Sequence, residues 1–332
     1  MSAAILLRDG FGRQINYLRL SVTDRCNFRC VYCMPEKMRF LPRAQVLSAE
    51  ELLCVGSAFV DLGVNKIRLT GGEPLVNPRL PWLVEKFAAL PGLDQVTLTT
   101  NGDRLGIYAK SLKAAGLDRI NISLDSLKPE RFAELTRTGS LRRVLEGIAA
   151  AQRAGFKRLK INAVILRGRN DDEVLELLRF ARHEALDITF IEEMPLGHIN
   201  EHDRKFCFIS SEEIKAAIST EFPLIPTLEN SGGPARYYRM DDSPISVGFI
   251  SPHSNNFCGT CNRVRVTAEG RLLLCLGNEH SLDLRQILRE SPNAPDLLKS
   301  KIQNAMSFKP ESHHFDLNEA PQIVRFMNMT GG

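Results

Sequence analysis

The sequence predicts an α/β protein, an incomplete barrel of six strand–helix units with a smaller C-terminal domain. From residue 12 to about residue 195, short apolar runs alternate with amphipathic segments of helical period. The repeat is roughly thirty residues long, which is typical of βαβ units and indicates a parallel sheet. Six strands are too few to close an eight-stranded barrel, so we expect an open, partial barrel.

The elements of the barrel follow from these runs. Strands are predicted at residues 15–22, 66–70, 95–100, 119–124, 158–166 and 188–194. Helices are predicted at residues 80–90, 104–115, 141–154 and 171–183. A further helix begins at Ser48, where Glu51 completes a capping box. Gly63, Gly116 and Gly155 stand where a helix should end before the next strand.

The predicted strands alternate polar and apolar side chains. Arg19, Arg68 and Lys160 lie on the polar faces of three different strands. If helices cover the apolar faces, these cations point into the barrel, where unpaired charge is costly. A phosphorylated ligand would neutralise them. The alternative is that each strand simply has one solvated face.

After about residue 200 the pattern changes. A helix at residues 210–220 precedes a proline-containing break and a linker at 230–234. Strands at 236–240, 245–250 and 271–275, helices at 282–290 and 296–308, and a loose tail complete the prediction. We therefore divide the chain into an N-terminal tail (1–10), the partial barrel (11–225) and a C-terminal domain (226–332).

Composition narrows the class of protein. The 332 residues are 43% hydrophobic and 25% charged, as in a globular protein. The apolar runs are too short to span a membrane, and the run at residues 3–7 is too short for a signal peptide. Six of the eight cysteines fall in two tight sets, which is typical of metal ligands in a reducing compartment. The net charge of +4, without a basic run, does not indicate nucleic-acid binding. We expect a cytoplasmic protein without a membrane or nucleic-acid partner.

The first cysteine set follows the first predicted strand. Cys26, Cys30 and Cys33 are spaced C-x3-C-x2-C. Three neighbouring thiols cannot all pair as disulfides, but they can converge on one metal centre. A closed zinc site needs four ligands, whereas a four-iron cluster on three thiolates keeps one iron open for chemistry. The spacing favours the cluster and leaves a zinc or mixed site as the alternative.

The second set has the spacing C-x2-C-x13-C and comprises Cys258, Cys261 and Cys275. A fourth ligand is again missing, and His253 is the nearest candidate. Arg263 and Arg265 lie on one face of the strand that follows Cys261. An open iron beside two arginines indicates an anchor for an anionic substrate, and surface ion pairs of the arginines are the alternative. Cys54 and Cys207 are expected to be small buried hydrophobes.

The first set resembles the radical S-adenosylmethionine (SAM) superfamily, because Tyr32 separates its last two cysteines and Thr70-Gly-Gly-Glu-Pro74 follows. The resemblance implies a partial barrel and a [4Fe-4S] cluster whose open iron is chelated by SAM. It also implies reduction of SAM to a 5′-deoxyadenosyl radical, which abstracts hydrogen from a substrate. A rival within the superfamily is a peptide-modifying enzyme with an auxiliary cluster. A non-enzymatic iron–sulfur carrier is the rival outside it.

Both cysteine sets, the segment Asn262-Arg-Val-Arg265 and the final Gly-Gly together resemble the GTP 3′,8-cyclases of molybdenum cofactor biosynthesis (the MoaA family), from about Phe11 onward. The resemblance implies that two [4Fe-4S] clusters are held by Cys26, Cys30, Cys33 and by Cys258, Cys261, Cys275. It assigns SAM binding to Tyr32, Gly72, Ser123 and Met194. It assigns GTP binding to Arg19, Arg68, Thr99, Lys160, Arg263 and Arg265.

The implied reaction converts GTP to (8S)-3′,8-cyclo-7,8-dihydroguanosine 5′-triphosphate, the first step of molybdenum cofactor biosynthesis. The deoxyadenosyl radical abstracts the ribose 3′ hydrogen, and the carbon radical then attacks carbon 8 of guanine. No catalytic side chain is implied beyond the cofactors, but the resemblance places the tail, Gly331 and Gly332, in the active site. The sequence alone favours a frayed end there. The resemblance also implies a homodimer, while the reductant is not indicated.

Overall fold

One twelve-stranded sheet organises the part of the chain that the structure describes. The structure is a computed structural model, and it describes residues 6–199, 201–229, 232–319 and 323–331. Within these ranges the strands are β1 (Tyr17–Ser21), β2 (Lys66–Thr70), β3 (Gln95–Thr100), β4 (Arg119–Ser123), β5 (Leu159–Val164), β6 (Asp187–Ile191), β7 (Ile225–Pro226), β8 (Arg236–Met240), β9 (Ser243–Ile250), β10 (Arg263–Val266), β11 (Arg271–Leu273) and β12 (Ser281–Asp283).

Helices connect most of these strands. The α-helices of the described residues are α1 (Ala49–Asp61), α2 (Leu80–Ala88), α3 (Leu105–Ala114), α4 (Pro129–Thr136), α5 (Leu141–Arg153), α6 (Val174–His183), α7 (Arg204–Cys207), α8 (Ser211–Ser219), α9 (Leu284–Glu290), α10 (Pro295–Ala305) and α11 (Met327–Thr330). Ser48 and Glu51 form the predicted capping box at the start of α1. None of the helices in the described ranges has the length and apolarity that a membrane span requires.

The strands run in the order β12-β11-β10-β1-β2-β3-β4-β5-β6-β9-β8-β7. The eight central strands, from β10 to β9, are parallel to one another. The predicted six-strand α/β barrel is therefore confirmed. Strands β10 and β9, both from the C-terminal part, add to its two sides, and this was not predicted. In this register Arg19 lies between Arg68 on one neighbour and Arg265 on the other.

The two faces of the sheet differ as predicted. Apolar side chains of β1 to β6 pack with the surrounding helices in one hydrophobic core, in which Leu18, Ile67 and Ile120 are fully buried. The opposite face lines a cavity, and Arg68 and Lys160 on that face are buried as well. The inward orientation of the cations is confirmed, and the alternative of a solvated face is excluded for them.

Two segments differ from the prediction. Helix α4 was not predicted; its last carbonyls accept hydrogen bonds from the loop of the first cysteine set, so tertiary contacts stabilise this short helix. The tail was predicted to be loose, but residues 327–330 form α11, in which Asn328 and Thr330 are buried. Asn328 donates a 3.0 Å hydrogen bond to the carbonyl of Asp24, which ties the tail to the barrel.

Candidate active site

A cavity of about 280 Å³ runs through the barrel. At one end it is lined by Cys26, Cys30 and Cys33, which follow the carboxyl end of β1. At the other end it is lined by Cys258, Cys261 and Cys275, of which Cys261 precedes the amino end of β10. The two cysteine sets thus share one cavity and approach it from opposite ends. Cys54 and Cys207, which were predicted to be small buried hydrophobes, are only partly buried, and they are not among its lining residues.

Helix α4 and the Gly-Gly-Glu turn hold the first cysteine loop. The amides of Arg29 and Val31 donate to the last carbonyls of α4, each at 2.9 Å. The amide of Gly72 donates to the Thr23 carbonyl at 2.8 Å. A Cβ at Gly72 would lie 2.5 Å from the carbonyl oxygen of Arg25, so the glycine is required for this packing. The glycine therefore lets the turn pack directly against the backbone of the cysteine loop.

The thiols of the first cysteine set ionise with difficulty unless a positive charge is nearby, because their pKa values are raised. Burial, with the nearby charge of Glu73, raises the pKa of Cys26 to about 12. Burial, with the neighbouring Cys26, raises the pKa of Cys33 to about 12 as well. Such thiolates become favourable once a metal neutralises them, because metal binding is coupled to thiol deprotonation. This environment fits thiolate ligands of a metal centre.

Two carboxylates line the same end of the cavity. Glu73 accepts hydrogen bonds from the Thr100 hydroxyl at 2.7 Å and from the Asn101 amide at 2.6 Å, which joins the ends of β2 and β3. Burial raises the pKa of Glu73 to about 7. Asp125 accepts a 2.7 Å hydrogen bond from the Tyr32 hydroxyl, and burial raises its pKa to about 6. Both carboxylates are therefore engaged by the protein.

The four predicted SAM positions all lie on the cavity wall near the first cysteine set. These residues are Tyr32, Gly72, Ser123 and Met194. They come from the cysteine loop and from the carboxyl ends of β2, β4 and β6, which meet because the strands are parallel. Their role in binding SAM stays a prediction.

The six predicted GTP positions form a second part of the wall. They are Arg19, Arg68, Thr99, Lys160, Arg263 and Arg265. Arg68 donates to the Thr99 hydroxyl at 3.3 Å. Burial lowers the pKa of Arg19 to about 10. It also lowers the pKa of Lys160, and it lowers the pKa of Arg265 well below its usual value. Because desolvation disfavours their charged forms, an anion bound beside these cations would stabilise them, so the wall is suited to a polyphosphate.

Lys309 supports the second cysteine set, although the sequence analysis assigned it no role. Its ammonium donates to the carbonyls of Leu274 at 2.5 Å and Arg263 at 3.2 Å, and to the Cys261 sulfur at 3.6 Å. Burial raises the pKa of Cys261, but the charges of Arg263 and Lys309 outweigh it and lower that pKa. Because Lys309 lies beyond the end of a helix, no local pattern marked it.

Within the described ranges, neither cysteine set has a fourth protein ligand beside it. His253, the candidate from the sequence, donates from Nε2 to the carbonyl of Glu193 at 3.0 Å and does not line the cavity. Among the described residues, no three His, Cys, Asp or Glu side chains are grouped around a single metal ion.

The tail enters the cation wall. The carbonyl oxygen of Gly331 accepts hydrogen bonds from Arg265 at 2.8 Å and from Arg19 at 3.2 Å. The amide of Met327 donates to the Cys33 carbonyl at 3.3 Å. Residues 327–331 therefore connect the first cysteine loop with the arginines. Gly332 lies outside the described residues.

Two further cavity residues were missed. Tyr17 precedes Arg19 by two residues on β1, so the period-two pattern placed it on the inward face. His313 has no hydrogen-bond partner on either ring nitrogen among the described residues, and its ring centre lies 4.2 Å from that of Phe315. His313 lies in no helix or strand, so no periodic pattern marked it.

Two family models match the chain: "Radical SAM superfamily" over residues 20–181 and "Molybdenum Cofactor Synthesis C" over residues 186–315. The GTP 3′,8-cyclase of Pseudomonas entomophila (strain L48) is 59% identical over 98% of each chain. That of Marinobacter nauticus is also 59% identical, over 98% of each chain. The chain belongs to the GTP 3′,8-cyclase family. Since these alignments span nearly the whole length, both cysteine sets lie within the region that this GTP 3′,8-cyclase family member shares with its relatives.

Solved structures agree on the fold. SuiB of Streptococcus suis bound to S-adenosylmethionine superposes with a TM-score of 0.61, covering 95% of this chain and 77% of that chain at 15% identity. SuiB bound to its precursor peptide SuiA gives the same TM-score. At this identity the likeness concerns the fold alone, and it does not favour a peptide substrate for the GTP 3′,8-cyclase family member.

Proposed function

We propose that the chain is a radical SAM GTP 3′,8-cyclase, which converts GTP to (8S)-3′,8-cyclo-7,8-dihydroguanosine 5′-triphosphate in the first step of molybdenum cofactor biosynthesis. One observation carries the proposal: two three-cysteine sets line the ends of a single cavity, and a wall of buried and partly buried cations lies between them. The full-length likeness to GTP 3′,8-cyclases supports it.

The cysteines would hold two [4Fe-4S] clusters, with Cys26, Cys30 and Cys33 at the SAM end and Cys258, Cys261 and Cys275 at the substrate end. When bound, the first cluster and SAM supply one-electron chemistry and the deoxyadenosyl radical. Tyr32, Gly72, Ser123 and Met194 would position SAM. The cofactor supplies the reactive species, and the protein supplies binding and orientation.

The cation wall would bind the triphosphate. Arg19, Arg68, Arg263 and Arg265 each present a planar guanidinium, which donates paired hydrogen bonds to phosphate oxygens, and Lys160 adds a point charge. With the phosphates bound at this wall, the ribose and the base would lie in the same cavity, between the two cysteine sets. Holding the reacting atoms in this way replaces an encounter in solution by a preset geometry. The carbonyl of Gly331, which accepts hydrogen bonds from Arg19 and Arg265, would border the triphosphate site.

Several parts of the proposal concern the whole molecule. We propose a homodimer located in the cytoplasm, with GTP as substrate and without nucleic-acid or membrane partners. We also keep the division into 1–10, 11–225 and 226–332 as a proposal. The reductant that feeds the first cluster is not identified.

The test is an anaerobic assay. The protein is reconstituted with iron and sulfide, reduced, and given SAM with GTP, and 5′-deoxyadenosine formation is followed with GTP loss. We expect deoxyadenosine to rise only with GTP and GTP to be consumed in step. If SAM is cleaved at the same rate with and without GTP, and GTP is not consumed, the result would contradict the cyclase proposal and favour the peptide-modifying alternative. Failure to bind SAM would favour the electron carrier.

A further inference from the structure

Tyr17 is a buried phenol within the cation wall. Only 3% of the surface of Tyr17 is exposed to solvent. The hydroxyl oxygen accepts a 2.6 Å hydrogen bond from Nε of Arg68 and lies 3.4 Å from Nη1 of Arg19. The ammonium of Lys66 lies 5.0 Å from the centre of the ring. One phenol therefore contacts three cations at once.

The charged groups around Tyr17 are nearly all positive. Its own strand contributes Arg19, and β2 contributes Lys66 and Arg68. On the other side β10 contributes Arg263 and Arg265, with the Cys261 thiol just before them. The cavity-lining residues that the structure describes include two carboxylates, Glu73 and Asp125, and both are bonded at the SAM end. Lys160 is bonded to a different phenol, with its Nζ 3.0 Å from the Tyr237 hydroxyl.

Buried cations need a counter-charge, because desolvation without one is expensive. Burial alone raises the pKa of Tyr17, but the charges of Arg68, Arg19 and Lys66 and the hydrogen bond from Arg68 outweigh it and lower that pKa to about 6. Burial lowers the pKa of Lys66 to about 8, and the charge of Tyr17 opposes this effect. The phenol thus provides the negative charge that the neighbouring carboxylates do not.

We propose that Tyr17 is the counter-anion of the substrate site: as a phenolate it holds Arg19, Arg68 and Lys66 before the substrate binds, and it takes up a proton when the triphosphate replaces it. The proton comes from solvent and goes to the phenolic oxygen. The inference rests on the proposed function, since it takes a polyphosphate as the ligand. A second anion beside the same cations disfavours the phenolate, so binding of the triphosphate and protonation of Tyr17 are linked.

The experiment titrates the cluster-loaded protein near neutral pH with inorganic tripolyphosphate and, separately, with GTP, both without SAM. Calorimetry measures binding, and the ultraviolet difference spectrum with tripolyphosphate measures loss of tyrosinate absorbance. We expect loss of one tyrosinate per bound tripolyphosphate. Tyr17→Phe should abolish the signal, because it keeps the ring over Lys66 but removes the hydroxyl. Tyr237→Phe, the matched control, should retain it.

Binding of tripolyphosphate without tyrosinate loss, or a signal that persists in Tyr17→Phe, would overturn the inference while leaving the cyclase proposal intact if GTP binds. Tyrosinate loss with tripolyphosphate but no binding of GTP would support the inference on Tyr17 and contradict the cyclase proposal. A protein that binds neither ligand overturns both. If Tyr17→Phe does not fold, a pH titration of the unchanged protein decides: tripolyphosphate must raise the tyrosinate midpoint by at least about one pH unit, and an unshifted midpoint overturns the inference.

Discussion

The guanidinium of Arg265 donates a 2.8 Å hydrogen bond to the carbonyl oxygen of Gly331. The arginine belongs to β10, at the side of the barrel, and the glycine follows the short helix α11. Arg19 donates to the same oxygen from the adjacent strand. A backbone carbonyl therefore lies between two partly buried cations, and the position of the tail and the charge of the substrate site are directly connected.

Gly331→Ala should impair GTP turnover. Gly331 has a φ of +77°, and an added Cβ would lie 2.4 Å from the Thr70 hydroxyl oxygen. The left-handed conformation alone costs a residue with a Cβ roughly 1–2 kcal/mol. We expect kcat/KM for GTP to fall by about tenfold or more, with iron content unchanged. Gly168→Ala is the matched control, because its φ is +69° and no atom lies within 4 Å of the added Cβ. Equal losses in both variants would show that the tail has no special role.

Cys258→Ala should remove one of the two iron centres. Cys258 is buried at the end of the cavity opposite to the first set. With two four-iron clusters per chain, iron and sulfide should fall by about half, while reductive SAM cleavage without GTP persists at the first cluster. Cys54→Ala, at a cysteine outside the cavity, should keep the full iron content. A full complement of iron in Cys258→Ala would contradict the second cluster.

Tyr17→Phe should change how stability depends on pH. The pKa of Tyr17 in the fold is about 6, below its ordinary value of 10, so its ionised form stabilises the fold, and this contribution is lost as pH falls through 6. The Tm difference between the unchanged protein and Tyr17→Phe should therefore grow from about pH 6 upward, by on the order of 2–4 °C per kcal/mol. It should level off near pH 10, the ordinary pKa of the phenol in the unfolded chain. Tyr108→Phe, on α3 outside the cavity, is the control, and a pH-independent difference for Tyr17→Phe would refute the charge assignment.

Arg204→Met should reduce the protection of residues 323–331 against hydrogen exchange, although Arg204 lies outside that segment. Buried Arg204 pairs with Glu193 at 2.9 Å and donates to the carbonyls of Leu196 and Gly197. The amide of Gly197 in turn donates to the Ile323 carbonyl at 2.8 Å, just before the tail. Removing one partner of a buried ion pair costs about 3–5 kcal/mol.

Hydrogen exchange followed by mass spectrometry measures this effect. Residues 196–204 and 323–331 should exchange faster in Arg204→Met than in the unchanged protein, since both segments depend on the same carbonyl contacts. Arg182→Met, which breaks a half-exposed pair with Asp242, is the matched control and should leave both segments protected. Unchanged protection of residues 323–331 in Arg204→Met would disprove the coupling.

Local pattern was sufficient for the barrel and for much of the site. Inward cations such as Arg68 and Lys160 were predicted because a strand alternates its faces, so a polar residue opposite apolar ones must point to the cavity. The same rule applies to Tyr17, which was not predicted, but its chemistry depends on Arg68 of another strand, and a single strand carries no information about its neighbour. The cysteine sets were found because metal ligands on loops are close in sequence.

Other features depend on contacts that no local pattern records. β9 and β10 read as short strands of a separate unit, and their pairing with β6 and β1 joins residues far apart in the chain. Helix α4 has few residues, and its contacts with the cysteine loop stabilise it. Gly331 was expected at a frayed end because a glycine pair has no side chain that could indicate a partner; its carbonyl makes the contact instead.

The side strands also set an order of events during synthesis. The six strands of the barrel are complete at Ile191, but the partner of β6 begins only at Ser243 and the partner of β1 only at Arg263. Until those residues leave the ribosome, both outer strands of the nascent sheet present unpaired backbone, which is a template for aggregation. A chaperone that shields open sheet edges would act in that interval. The late strands therefore protect the early ones, and a chain interrupted before residue 243 would carry two exposed edges.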